Sequence, residues 1–143
     1  MLIPSQATRT TITPRVSETD GCGHINNTTL PVWFEAGRRE IFKVITPSLR
    51  FSEWKLSLVE MNVSFLKQIY LDADVEISTW VSKLGNKSLT IRETASQNGV
   101  ICAKGMIVYV YFDYQEQQSS RIPDDVRARL FPFVHESVQE NEK

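Results

Sequence analysis

Residues 18–40 read Glu18-Thr-Asp20-Gly-Cys22-Gly-His24-Ile-Asn26-Asn27-Thr-Thr-Leu-Pro31-Val-Trp33-Phe34-Glu35-Ala-Gly37-Arg38-Arg39-Glu40. The first half is a polar loop with two acids and two glycines, and the second half is an amphipathic run. Pro31 is tolerated only in a first helical turn, so it sets where the helix begins, and Asn27, Thr28 or Thr29 can serve as its N-cap. A carboxylate in such a loop can act as base or nucleophile. The helix start beside it presents unpaired N–H groups and a partial positive charge, which suit an anion or a developing oxyanion. The stretch therefore reads as an active-site loop feeding a helix, with the rest of the chain as scaffold.

Working outward, Trp33, Phe34, Gly37, Ile41, Val44 and Ile45 recur at intervals of three and four. Charged residues, Arg38 among them, fill the other positions, and Pro47 stops the run, which predicts one long helix over 28–45. Upstream, residues 7–16 are rich in Thr, Ile and Val and predict an edge or bent strand. Downstream, residues 48–55 are irregular, with Trp54 as a lid or a core plug. Alternating runs at 56–66, 75–81, 88–95 and 100–112 then predict four strands in antiparallel meander order, with Asn98-Gly99 as a hairpin turn. On the third of these runs, Leu89, Ile91 and Glu93 share one face. A short helix is expected over 124–130, and residues 131–143 read as a flexible tail. One long helix beside about five strands gives the α+β class, with the sheet wrapped over the helix in a single domain over 1–143.

The chain has 143 residues and a formal net charge of -1, so nothing suggests a nucleic-acid footprint. Cys22 and Cys102 lie in unrelated segments and do not form a disulfide framework. The two histidines, His24 and His135, lack ligand spacing, so no metal is expected. The N-terminus is not a signal peptide, and no apolar run is long enough for a membrane span, so a cytoplasmic location is the default.

Asp-Gly-Cys-Gly-His-Ile-Asn-Asn at 20–27, followed by Phe-Glu-Ala-Gly-Arg-Arg at 34–39, resembles the signature of the 4-hydroxybenzoyl-CoA thioesterase-like group of hotdog-fold acyl-CoA thioesterases. The runs at 64–77, 81–91 and 121–130 are similar too, so the resemblance spans roughly residues 11–130. It implies a curved antiparallel sheet around a long helix, and a homodimer or homotetramer with sites at the subunit interface. It implies Asp20 as the catalytic carboxylate and the backbone amide of Asn27, seven residues later, as the donor that polarises the thioester carbonyl. It places Lys87, in the Asn86-Lys87-Ser88 turn, against the phosphates of coenzyme A. One branch of the group has an arginine two residues before that lysine, where this chain has Gly85.

Each residue has a plainer reading beside the functional one. Asp20 can be a turn-former next to Gly21, and Lys87 an exposed turn lysine. Glu18 is the second choice of catalytic acid. His24 and Asn26 read as substrate-side or helix-capping residues. Trp33 and Phe34 can line an acyl pocket or belong to the core. The resulting expectation is an acyl-CoA thioesterase that releases an acid and free coenzyme A, with no cofactor beyond the coenzyme A of the substrate. The alternatives are a thioesterase acting on an acyl carrier protein, or a hotdog protein that binds acyl-CoA without turnover.

Overall fold

Leu30, Trp33, Phe34, Gly37, Ile41 and Ile45 are buried and fall on one helical face. In the computed structural model, which describes residues 2–136, that face is carried by two successive helices. They are α1 (Thr29–Gly37) and α2 (Arg39–Ile45), so the single helix expected over 28–45 is broken at Arg38. The break falls where the helix touches the sheet. A Cβ on Gly37 would stand 2.5 Å from Ile77 Cγ2 and 2.8 Å from Thr79 Oγ1. Only glycine permits that approach, and the next side chain, Arg38, turns inward rather than to solvent.

The helices lie against an antiparallel sheet made of β1 (Thr8–Ile12), β2 (Leu56–Phe65), β3 (Val75–Leu84), β4 (Ser88–Gln97) and β5 (Val100–Asp113). Its order is β1-β3-β4-β5-β2, with the short β6 (Gln118–Ser119) on β5. The expected α+β class and wrapped five-strand sheet are borne out. The expected meander is not, because only β3, β4 and β5 follow it. Asn98 and Gly99, at φ 54° and 76°, close β4 onto β5 in two residues. The link between β2 and β3, residues 66–74, is no tight turn, and it lets β2 cross to pair with β5 at the sheet's edge.

β1 covers only the Val75–Thr79 half of β3. Beyond it, Val134 bridges Val81, and His135 donates its N–H to the Val81 carbonyl at 2.8 Å. The chain expected to be loose from 131 is thus docked through His135, after α3 (Asp124–Leu130) and a short 3-10 turn. The rest of that expected tail, 137–143, lies outside the described residues. Trp54 is half-buried and meets Phe42 edge-on at 5.2 Å, the core-plug reading rather than the lid. Among the described residues, no helix is long and apolar enough to cross a membrane.

The core has two apolar clusters. One gathers around Ile41, Ile91 and Ile107, the other around Phe34, Ala95 and Ala103. Between them sit Arg38, at the break between α1 and α2, Glu93 on β4 and Gly105 on β5. Arg38 donates to Glu93 at 2.5 Å, and both side chains are fully enclosed. Gly105 makes room, since a Cβ there would stand 2.9 Å from Glu93 Oε2. The guanidinium also lies 5.8 Å from the Tyr109 ring centroid.

Burial pushes the Glu93 carboxyl up to about 7 from its ordinary 4.5, although Arg38 pulls it down. A carboxyl raised on folding stabilises the native state fully below about pH 4.5, and that contribution is lost as pH rises to about 7. Glu93→Gln removes the titration. Denaturant unfolding of both proteins across this window is expected to show the wild type losing roughly 3 kcal/mol relative to the variant as pH rises. Parallel pH curves contradict the assignment.

Candidate active site

Gly21 and Gly23 both have left-handed φ, 86° and 87°, and form the tip of a small ribbon. Its legs pair in antiparallel fashion. Asp20 N–H donates to His24 O at 2.9 Å, Asn26 N–H to Glu18 O at 2.8 Å, and Thr19 stands opposite Ile25. Opposed residues share a face, so Asp20 and His24 lie on one side and Thr19 and Ile25 on the other. Ile25 is buried, and its N–H donates to Ile69 O at 2.8 Å. His24 meets Tyr70 edge-on at 5.3 Å.

The segment beneath the ribbon is fixed in turn. Leu66 and Lys67 both donate their N–H to Cys102 O, at 2.8 and 3.0 Å. The buried Gln97 side chain accepts from Tyr70 N–H at 3.0 Å and donates to Tyr70 O and Ala73 O at 2.7 and 2.9 Å. Gln97 was missed in the sequence, because a glutamine at a strand end carries no signal of its own.

Glu18 ties the ribbon to α1. Its Oε2 accepts from Trp33 Nε1 at 2.8 Å, and its Oε1 accepts from Arg15 N–H at 2.7 Å. Burial works to raise this carboxyl. The hydrogen bonds from Arg15 and Trp33 outweigh it and hold the group below the usual carboxylate range. Glu18, the second choice of catalytic acid, has both carboxylate oxygens in hydrogen bonds to Arg15 and Trp33. Trp33 and Phe34, considered as pocket residues, are buried at 3% and 1% exposure and join the core, because the closely packed helix face carries them inward.

At the helix start, Asn26 Oδ1 accepts from Thr28 N–H at 3.0 Å and from Thr28 Oγ1 at 2.9 Å. Asn26 O accepts from Thr29 N–H at 2.9 Å, and Asn27 O from Leu30 N–H at 3.4 Å. The N–H of Asn27 itself has no acceptor among the described residues. Asn27 lines a cleft of about 220 Å³, together with Ile25, Leu30, residues 65–69 and Ala103. Asp20 is not part of that wall. Its Oδ1 accepts from Cys22 N–H at 2.8 Å, and its Oδ2 stands 3.9 Å from His24 Nδ1, with the side chain 39% exposed. The site therefore has two surfaces, a cleft lined by Asn27 and a ribbon face carrying Asp20 and His24. Chemically, one can hold a carbonyl oxygen and the other can accept a proton or attack.

Asn86 and Lys87 lie in the β3–β4 turn and Ser88 opens β4 (Ser88–Gln97), so within one chain the length of that strand, ~30 Å at the usual rise, stands between them and the cleft, and the place expected for them is against coenzyme A at a subunit interface. Lys67 and Gln68, which do line the cleft, were missed in the sequence. The available signal was the break in alternation at Phe-Leu-Lys-Gln-Ile, residues 65–69. Among the described residues, no group of three His, Cys, Asp or Glu is placed to hold a metal.

A family model described as the thioesterase-like superfamily matches residues 14–130. A predicted thioesterase from Bacillus stearothermophilus is 52% identical and superposes with a TM-score of 0.89, covering 92% of this chain and 99% of the other. A thioesterase from Thermus thermophilus, solved with coenzyme A and Zn, is 26% identical with a TM-score of 0.78, covering 87% and 91%. The Bacillus subtilis protein YsmA is 25% identical over 120 residues, or 83% of this chain and 82% of the relative.

Gln97→Ala leaves Tyr70 and Ala73 without three side-chain hydrogen bonds. It is expected to cost about 1–3 kcal/mol and to speed amide exchange at Tyr70 and Ile25 before the strand interiors. Hydrogen exchange read by mass spectrometry checks this, and unchanged protection at these amides contradicts it.

Proposed function

The chain belongs to the thioesterase-like superfamily, and on that footing we propose that it hydrolyses an acyl-CoA thioester to the free acid and coenzyme A. The observation that carries the reading is the Asn27 N–H at the cleft, without an acceptor among the described residues. A donor held in place before the substrate arrives stabilises charge on a carbonyl oxygen without reorganising, which is where such donors act most strongly. The coenzyme A bound by the Thermus relative supports the choice of thiol.

In this reading the thioester carbonyl oxygen meets the Asn27 amide, one part of the substrate fills the cleft, and the reacting carbon faces Asp20. Cys22 N–H holds Asp20 Oδ1, leaving Oδ2 as the working oxygen beside His24. Asp20 either takes a proton from a water that adds to the carbonyl carbon, or adds to that carbon itself to give a mixed anhydride that water then opens. Along both routes the C–S bond breaks and the sulfur leaves with its electron pair, to be protonated as the free thiol.

A homodimer is part of the proposal. Leu58, Met61 and Phe65 pair with core-facing positions of β5, yet are 44%, 42% and 50% exposed on the open edge strand β2. An edge strand with an uncovered apolar side invites a second strand, and two copies of β2 running antiparallel satisfy both. Met61→Lys is expected to halve the mass seen by sedimentation. A wild type that is already monomeric contradicts the pairing.

Asp20→Asn is expected to lower thiol release from acyl-CoA by at least about 10²-fold with the fold retained. Asn27→Ala keeps the backbone donor and is expected to retain most activity. Asn27→Pro removes the donor and is expected to cost about 10²–10³-fold. Equal rates for wild type and Asp20→Asn remove the acid from the mechanism.

A further inference from the structure

The cleft has a buried apolar floor of Ile25, Leu30, Ile69 and Ala103, and an exposed rim at residues 65–68. Lys67 carries the only charge among the described residues that line the cleft. It has no carboxylate partner among the described residues, and its backbone is pinned by the Cys102 carbonyl at 3.0 Å. At about 220 Å³ the cleft is smaller than the ~300–1,000 Å³ that encloses a drug-sized ligand, so only part of a large thioester fits inside. The apolar floor excludes an unpaired anion, and any anionic group on the ligand must therefore emerge at the rim.

We propose that Lys67 is the phosphate-recognition residue of this site, pairing with a phosphate on the thiol half of the substrate as that half leaves the cleft. The inference rests on the thioesterase reading and deepens it. The assignment differs from the family-based expectation of Lys87, which lies at the opposite end of β4 in the same chain. The ligand chemistry is a phosphorylated pantetheine arm, carried either by coenzyme A or by a carrier protein. Lys67 acts through charge at a partly wet rim, so its contribution weakens as salt is raised.

The test is calorimetric binding of coenzyme A, 4′-phosphopantetheine and pantetheine to the wild type, Lys67→Ala and Lys67→Arg, at low and high salt. Thiol release from acyl-CoA is measured in parallel. Lys67→Ala is expected to weaken coenzyme A and 4′-phosphopantetheine about tenfold each, as for one charge-assisted contact, and to leave pantetheine unchanged. Lys67→Arg is expected to restore most of the loss, and high salt to narrow the gap. Equal weakening of all three ligands, no weakening of any, or no binding of coenzyme A by the wild type overturns the inference. An added arm uses an acyl-pantetheine bearing a terminal carboxylate. A penalty confined to that compound assigns Lys67 to the acyl side and also overturns it. Wild-type protein that shows the binding contrast but releases no thiol overturns the hydrolase reading alone.

Discussion

A helix start leaves several N–H groups without partners inside the helix, and each must find an acceptor or face a ligand. Here Asn26 answers for Thr28 and Thr29, and the Asn27 carbonyl answers for Leu30. The Asn27 amide is the one at this start for which no acceptor is present among the described residues, and Asn27 is among the residues that line the cleft. Much of the surrounding structure serves to hold that amide still. The ribbon is paired across Glu18–Asn26, Glu18 is anchored on Trp33, and Ile25 is laid on the segment that Gln97 grips. A donor fixed by this many contacts is preorganised, the condition under which a hydrogen bond favours a transition state over water.

Behind the site, the buried Arg38–Glu93 pair is a costly way to fill a core. Desolvating two charges offsets much of their attraction, and an apolar pair of the same shape is often as stable. The pair stands between the two apolar clusters and joins the end of α1 to β4. It sits where α1 ends, and Gly37 and Gly105 are the spaces that let the helix and the carboxylate approach. The pair thus links the sheet to the helix whose other end carries the Asn27 amide.

The sequence made the architecture legible where periodicity was strong. Pro31, the three-and-four spacing and Asn98-Gly99 marked the helix start and the central hairpin, and Asp124–Leu130 fell where its acidic first turn placed it. Strand neighbours were less readable, because alternation shows that β2 is a strand but not which strand it joins. Arg38 counted as a surface residue for a simple reason: a charge is buried only when another charge meets it. The sign was Glu93, an acid on the apolar face of β4. In the site, Asp20, His24, Asn26 and Asn27 were legible as one local motif. Lys67 and Gln97 come to the cleft and the segment beneath it through tertiary contact, which no local spacing shows.

The account depends on a main-chain donor at the helix head and the Asp20 carboxylate converging on one carbonyl. The most direct measurement is a crystal structure with an acyl-CoA analogue in which a methylene replaces the reactive sulfur, leaving a ketone. The account predicts the ketone oxygen at about 3 Å from the Asn27 nitrogen, with an Asp20 oxygen facing the carbonyl carbon directly or through one water. A ketone held elsewhere, with the Asn27 amide taken up by another protein group, would contradict it.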